Sequence, residues 1–179
     1  TGNIGSGKTE AIKFLQSLKF KCISSDQIIS NFYKIERTRN IILKKLDLPE
    51  KNYKETIIEN LADANFNRKL KKVIYPLLHS AKRKMKYKHN SYKATFYEIP
   101  LLFEENLISN FDLIIFIKSD TNKRQKRVMG RGVSKKYFDL MNKKQINQNT
   151  KENLADYVIK NNGSILNLRL NIIKLLNIL

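Results

Sequence analysis

The segment from Gly2 to Thr9 constrains this chain more than any other. It reads Gly2-Asn3-Ile4-Gly5-Ser6-Gly7-Lys8-Thr9 and fits the pattern G-x-x-x-x-G-K-[ST] without a mismatch. Glycines let such a loop curl so that its N–H groups converge on an anion, and the helix that follows adds the positive end of its dipole. The lysine reaches the β- and γ-phosphates of a nucleotide and the hydroxyl binds Mg²⁺. We therefore predict a nucleotide site formed by Gly2–Thr9, with Glu10 in the adjoining helical turn.

The residues around this loop predict the class of fold. Helix-like segments cover Thr9–Leu18, Gln27–Tyr33, Thr121–Met129, Lys135–Asn149 and Ser164–Leu179. Residues 34–92 are mostly helical in pattern, with Pro76 before another basic helix. Strand-like segments cover Lys21–Ser24, Lys93–Ile99, Leu113–Ile117 and Tyr157–Ile159. Alternating strands and helices predict an α/β fold, with a central parallel sheet flanked by helices on both faces. Such a loop normally follows a buried strand, and because only Thr1 precedes it, we expect that the first strand is missing from this sequence.

Composition limits the possible partners. A length of 179 residues suits one domain, and the single cysteine, Cys22, suits a reducing cytoplasm. The net charge of +19 would suit nucleic acid, but it comes from 27 Lys against 8 Arg scattered along the whole chain. We therefore expect no specific nucleic-acid partner. Since no apolar stretch reaches the ~18 residues of a membrane span, we also expect no membrane partner.

Ligands of a parallel sheet collect at the carboxyl ends of its strands. Asp26 follows one predicted strand and Glu98 closes another. Asp26 could act as a general base or cap the next helix, and Glu98 could order a Mg²⁺-bound water, contact a substrate or cap the next turn. Lys123, Arg124 and Lys126 lie on a basic helix, where a solvated face is the usual outcome. His79 and His89 have no second ligand at metal spacing, so no metal site is expected there.

The ordered motifs resemble those of the dephospho-coenzyme A kinases. Thr1–Lys8 is similar to that family's phosphate loop, and Tyr97-Glu98-Ile99-Pro100-Leu101-Leu102-Phe103-Glu104 is similar to its most distinctive signature. Gln125–Arg131 resembles its lid segment. Gln145 and Ala155–Asn161 resemble its closing pattern. Four positions depart from the family: Ser24 stands in place of the first acidic residue of an Asp-x-Asp, Tyr53 in place of an arginine, Tyr75 in place of a histidine, and Glu10 in place of the hydroxyl residue that often follows the Lys-Ser/Thr pair.

The resemblance implies a three-layer P-loop fold, a single domain with a helical substrate-binding insertion over 34–92 and a lid over 121–149. It implies transfer of a phosphoryl group from ATP, with Mg²⁺, to the ribose 3′-hydroxyl of dephospho-coenzyme A. Asp26 would be the base, and Lys8 and Arg131 would neutralise charge, with Arg127 also near the nucleotide. The substrate would contact Asp26 and Glu98 together with the apolar residues Pro100, Leu101, Leu102 and Phe103.

We expect a monomeric or weakly self-associating cytoplasmic enzyme that acts on a small molecule. Two alternatives stay open at this stage. One is another P-loop kinase that acts on a nucleoside, a nucleotide or another small molecule. The other is a basic relative that binds nucleotide or nucleic acid without catalysis.

Overall fold

The strands form two pairs, and the first residue of the chain extends one of them. The computed structural model describes residues 1–87 and 94–178. Strand β1 (Lys21–Ser24) pairs with β2 (Thr95–Glu98), and β3 (Ile115–Lys118) pairs in parallel with β4 (Tyr157–Lys160), with Ile115 opposite Tyr157. On the other edge of β3, the Thr1 nitrogen donates to the Ile115 carbonyl at 2.8 Å and the Ile117 nitrogen donates to the Thr1 carbonyl at 2.9 Å. Thr1 therefore occupies a strand position directly before the glycine-rich loop.

Helices alternate with these strands as the sequence predicts. The described residues contain α1 (Lys8–Ser17), α2 (Ser25–Lys34), α3 (Glu36–Leu46), α4 (Tyr53–Asn60), α5 (Ala64–Tyr87), α6 (Thr121–Met129), α7 (Lys135–Lys144), α8 (Gln148–Leu154) and α9 (Ile165–Leu176). A short 3₁₀ turn covers Ile108–Asn110. Within residues 1–87 and 94–178, no helix is both long enough and apolar enough to span a bilayer.

Two helix predictions were wrong. The helix predicted over Lys135–Asn149 is two helices, because Gln145 is extended and Asn147 accepts a hydrogen bond from the Asn149 nitrogen as the cap of α8. Pro76 was expected to precede a separate helix, but it lies inside α5. A proline removes one N–H from the helical ladder. Packing of Ile74 and Leu78, on either side of it, keeps the helix continuous.

The chain divides into two compact units, each with its own apolar core. The first comprises Thr1–Cys22 and Ala94–Leu179, and the second Ile23–Lys93. One cluster of the first unit joins α1 and α9 to the strands through residues such as Leu15, Ile117 and Leu168, and another surrounds Phe116. In the second unit, Ile42, Leu46 and Ile74 join α3 to α5. A single domain with an insertion over 34–92 stays a prediction.

Candidate phosphate-binding site

The glycine-rich loop adopts a tightly curled backbone that needs its glycines. Gly5 and Gly7 have φ values of 76° and 106°, in the left-handed region that side chains disfavour. A Cβ on Gly5 would lie 2.5 Å from the Arg124 carbonyl oxygen, and one on Gly7 would collide with the Asn161 amide. The Ser6 nitrogen closes the turn by donating to the Asn3 carbonyl at 3.0 Å. The loop leads directly into the N-terminus of α1, whose free N–H groups and positive dipole end favour the binding of an anion.

Lys8, the first residue of α1, places its ammonium over this loop. Its Nζ donates to the Gly2 carbonyl at 2.9 Å and to the Asn3 carbonyl at 3.3 Å. A compact positive charge thus lies beside a turn of backbone amides and a helix N-terminus. All three features attract the same kind of ligand, a polyanion such as a nucleotide phosphate chain.

Thr9 and Glu98 bring two oxygen ligands together beside the loop. Thr9 Oγ1 donates to Glu98 Oε1 at 3.3 Å, and Glu98 is only 4% exposed at the end of β2. A hydroxyl and a carboxylate are the hard oxygen donors that Mg²⁺ prefers, so these two residues fit that cation. Among the described residues, no group of three or more His, Cys, Asp or Glu side chains is arranged to hold a metal, and His89 lies outside them. Glu10 forms an ion pair with Lys13 at 3.2 Å along α1.

Arg124 lies beneath the loop, and the expectation that it belongs to a solvated basic face was wrong. Its side chain is 1% exposed and donates to four acceptors: the Ser119 and Ile4 carbonyls, Thr121 Oγ1 and Asn142 Oδ1. Burial lowers the pKa of the guanidinium, yet arginine stays charged because its ordinary value is so high. Sequence periodicity could not reveal this, since two of these acceptors, the Ile4 carbonyl and Asn142 Oδ1, lie 120 and 18 residues away along the chain. By contrast, Lys126 on the same helix is exposed.

Arg127, on α6, and Arg131, in the turn that follows α6, differ in their surroundings. Arg127 donates to Ser119 Oγ at 3.0 Å, to the Asn161 carbonyl at 2.9 Å and to the Gly5 carbonyl at 3.4 Å. Burial lowers the pKa of Arg127, and the positive charge of Arg131 lowers it further. Arg131 is exposed in the turn after α6. Arg127 is thus fixed against the loop, whereas Arg131 presents its guanidinium to solvent.

Two amide side chains that the sequence placed in a motif, without giving them a role, also hold the loop. Gln145 Oε1 accepts a hydrogen bond from the Ile4 nitrogen at 2.7 Å. Asn161 Nδ2 donates to the Ser6 carbonyl at 2.7 Å, and Asn161 is 6% exposed. The sequence could have indicated this role for Asn161, because Asn161 is a polar residue that directly follows a strand.

Asp26 belongs to the second unit and lies exposed in the first turn of α2. The alternative that Asp26 caps this helix was wrong, because the cap is Ser24, whose Oγ accepts from the Gln27 nitrogen at 3.3 Å. Ser24, the departure from the acidic motif, therefore has a structural role. A helix N-terminus favours a carboxylate in its first turn, which is where Asp26 lies.

The apolar residues after β2 divide by burial. Leu102 and Phe103 are 4% and 6% exposed and pack in the cluster around Phe116, whereas Pro100 and Leu101 are half-buried. Next to them, Glu104 forms an ion pair with the fully buried Lys151 at 2.6 Å and accepts from the Ile146 nitrogen at 2.9 Å. Contact of all four apolar residues with a substrate stays a prediction. Pro100 and Leu101 are better placed for such contact, because they are less buried than Leu102 and Phe103.

The curled loop, the lysine over it and the hydroxyl–carboxylate pair, on an α/β fold with parallel strands, define a P-loop kinase. Solved structures share this fold. They include a Thermus thermophilus protein titled TT1252 (TM-score 0.83, 23% identity, 99% of this chain and 94% of that chain). Deoxyadenosine kinase from M. mycoides, solved with bound dATP, shares the fold at a TM-score of 0.53 and 15% identity over 98% and 96% of the two chains.

The family follows from sequence comparison. The family described as dephospho-CoA kinase matches residues 1–167. A dephospho-CoA kinase from Rickettsia typhi is 31% identical over 98% of this chain and 93% of its own length. A solved dephospho-CoA kinase from Campylobacter jejuni has a TM-score of 0.61 and 25% identity over 99% of this chain and 93% of that chain. The chain belongs to the dephospho-CoA kinase family and is a kinase.

Proposed function

We propose that this protein transfers the γ-phosphoryl group of ATP to the ribose 3′-hydroxyl of dephospho-coenzyme A, the last step in making coenzyme A. The observation that carries the phosphoryl-transfer chemistry is the loop Gly2–Gly7 with the Lys8 ammonium held 2.9 Å from the Gly2 carbonyl. The choice of acceptor is supported by membership of the family, whose description names it.

Positioning and charge compensation are the main tasks of the protein in such a transfer. The loop amides and Lys8 would bind the ATP phosphates, with Glu10 at the edge of the site. Mg²⁺ would be held by Thr9 Oγ1, with Glu98 ordering its water, and this cation neutralises phosphate charge when bound. Thr9 and Glu98 already share a 3.3 Å hydrogen bond, which supports their placement together.

The acceptor hydroxyl needs a carboxylate that orients it and accepts its proton. We assign this role to Asp26, which is exposed and lies in the first turn of the helix that follows β1. A new O–P bond forms at the 3′-oxygen while the bond between the γ-phosphorus and its bridging oxygen breaks. ADP leaves with that electron pair, and Asp26 receives the proton. Pro100 and Leu101, with Leu102 and Phe103 behind them, would support the acceptor.

Arg127 and Arg131 would compensate the charge on the transferring group. A guanidinium matches phosphate oxygens with two parallel hydrogen bonds, which an ammonium does not. The exposed Arg131 is the one we assign to direct contact, because the donors of Arg127 are directed to Ser119, Gly5 and Asn161. The cytoplasm is the proposed site of action, and the single unpaired Cys22 suits that reducing compartment.

The test is an acceptor panel. The protein is incubated with ATP, Mg²⁺ and dephospho-coenzyme A, deoxyadenosine or other nucleosides, and products are identified by mass. We expect dephospho-coenzyme A to gain one phosphoryl group, with equimolar ADP. Preferential phosphorylation of another acceptor would instead identify a different small-molecule kinase. Bound nucleotide without any phosphorylated acceptor would identify a non-catalytic relative.

The same assay tests the proposed base. Asp26→Asn removes a proton acceptor and keeps the shape, so kcat should fall by about 10²-fold or more while ATP affinity stays near the parent value. Asp112→Asn, which changes another exposed carboxylate, serves as the matched control. Turnover of the Asp26 variant at the parent rate would remove Asp26 from the mechanism.

A further inference from the structure

Both polar groups of one residue in the loop are held from outside the loop. The Ile4 N–H donates to Gln145 Oε1 at 2.7 Å, and the Ile4 carbonyl accepts from Arg124 Nη1 at 3.2 Å. The partners lie 141 and 120 residues further along the chain. Peptide groups in a glycine-rich loop rotate easily, because glycines on either side impose little steric restriction. Two such bonds oppose rotation of the peptides on both sides of Ile4.

The two partners are themselves fixed. Arg124 is 1% exposed, its other donors bond Ser119, Thr121 and Asn142, and its guanidinium lies 5.6 Å from the centre of the Phe138 ring. A guanidinium with several partners in place costs little further ordering when it makes one more bond.

The position of Gln145 is also fixed, through its backbone. It is 9% exposed and extended between α7 and α8, where its nitrogen donates to the Asn142 carbonyl at 3.3 Å. This interruption is the reason the predicted single helix is two helices, and it is what directs the side chain to the loop. Within the described residues, the Gln145 side chain makes one hydrogen bond, the one to Ile4.

We propose that Gln145 and Arg124 are positioning residues that clamp Ile4 and thereby set the affinity of the loop for the ATP phosphates. The clamp assigns the Ile4 N–H to the protein, so the phosphates are bound by the amides that follow it, from Gly5 onward. It also ties the shape of the loop to the α6–α7 corner, which carries Arg127 and Arg131. Neither residue is proposed to touch ATP.

The test compares two glutamines that accept similar bonds. Gln145→Met removes the acceptor of the Ile4 N–H at similar volume. Gln148→Met is the matched control, because Gln148 Oε1 accepts from the Ser119 nitrogen at 3.3 Å, outside the loop. We expect the Kd and KM for ATP to rise about five- to tenfold in Gln145→Met, the size of one positioned hydrogen bond, with KM for dephospho-coenzyme A changed less than about twofold. A merely structural role would raise neither constant selectively.

Two results would overturn the clamp: an unchanged ATP affinity in Gln145→Met, or an equal loss of ATP affinity in Gln148→Met. A measurement on the unaltered protein covers the case in which Gln145→Met does not fold. The Ile4 amide should be protected from hydrogen exchange before ATP is added. In NMR spectra, its chemical shift should stay nearly constant when ATP binds, while the chemical shifts of the Gly5–Thr9 amides change strongly. Protection of Ile4 that arises only with ATP would contradict the clamp.

This inference rests on the proposed function only in taking ATP as the anion. Nucleotide binding is measured without any acceptor. Failure to phosphorylate dephospho-coenzyme A would therefore refute the proposed reaction. It would not change the outcome of the clamp test, which measures ATP affinity alone.

Discussion

Replacing Gly7 with alanine should lower the free energy of unfolding by about 2–4 kcal/mol. Part of this follows from the backbone, because φ is 106° at this position and a left-handed conformation costs a residue with a Cβ about 1–2 kcal/mol. The rest follows from Asn161. Its amide nitrogen would collide with the new Cβ, so it must move and lose its 2.7 Å bond to the Ser6 carbonyl, which costs about 1–2 kcal/mol.

A double-mutant cycle separates these two contributions. Asn161→Ala loses the same hydrogen bond, so combining it with Gly7→Ala should cost about 1–2 kcal/mol less than the sum of the two single changes. Gly132→Ala is the matched control for backbone strain alone, since Gly132 has a φ of 80° and a Cβ there would meet nothing within 4 Å. It should cost about 1 kcal/mol.

The assay is urea unfolding followed by circular dichroism, with ATP affinity measured on the same samples. Affinity should fall for Gly7→Ala and stay unchanged for Gly132→Ala. Two outcomes would refute the reasoning. One is equal destabilisation by the two glycine variants, and the other is strict additivity of the Gly7 and Asn161 changes, which would mean that the Asn161 amide does not oppose a Cβ at position 7.

Two further predictions concern one half-buried and one fully buried group of the first unit. Burial raises the pKa of the Cys22 thiol from 9.0 to about 11, so at pH 8 its thiolate fraction falls about 100-fold. Alkylation by iodoacetamide should be about 100-fold slower than in the urea-unfolded chain, and equal rates would show that the thiol is not shielded. Burial lowers the pKa of Lys151 and Glu104 opposes this, so Lys151→Met, which leaves the carboxylate without its cation, should cost about 3–5 kcal/mol in urea unfolding. Adding Glu104→Gln should recover most of that loss, and a double variant as unstable as Lys151→Met would contradict the pairing.

Local patterns were enough to predict many of the elements. The bounds predicted for Lys21–Ser24 and Thr121–Met129 are those of β1 and α6. Both segments have a clear start and end in the sequence, with Ser25-Asp26 after the first and Asp120 before the second. The phosphate loop could be predicted for the same reason, since its chemistry requires a fixed order of residue types within eight positions.

Long-range contacts account for what the sequence did not reveal. Nothing local distinguishes Arg124 from its basic neighbours, because two of its acceptors, the Ile4 carbonyl and Asn142 Oδ1, are contributed by segments distant in sequence. The contact that Gln145 makes likewise involves the Ile4 N–H, 141 residues away. Pro76 misled the prediction because a local rule gives proline a breaking role, whereas packing of α5 through its neighbours overrides that rule.

The most direct test of the central claim is the rate of phosphoryl transfer in Lys8→Ala beside Lys13→Ala. Lys8 bonds the loop carbonyls, whereas Lys13 lies on the same helix, 65% exposed, with Glu10 as its ion-pair partner. If the loop is the phosphate site, Lys8→Ala should abolish formation of phosphorylated dephospho-coenzyme A with little loss of fold, and Lys13→Ala should turn over at the parent rate. Near-normal turnover of Lys8→Ala in a folded protein would contradict the assignment of this loop.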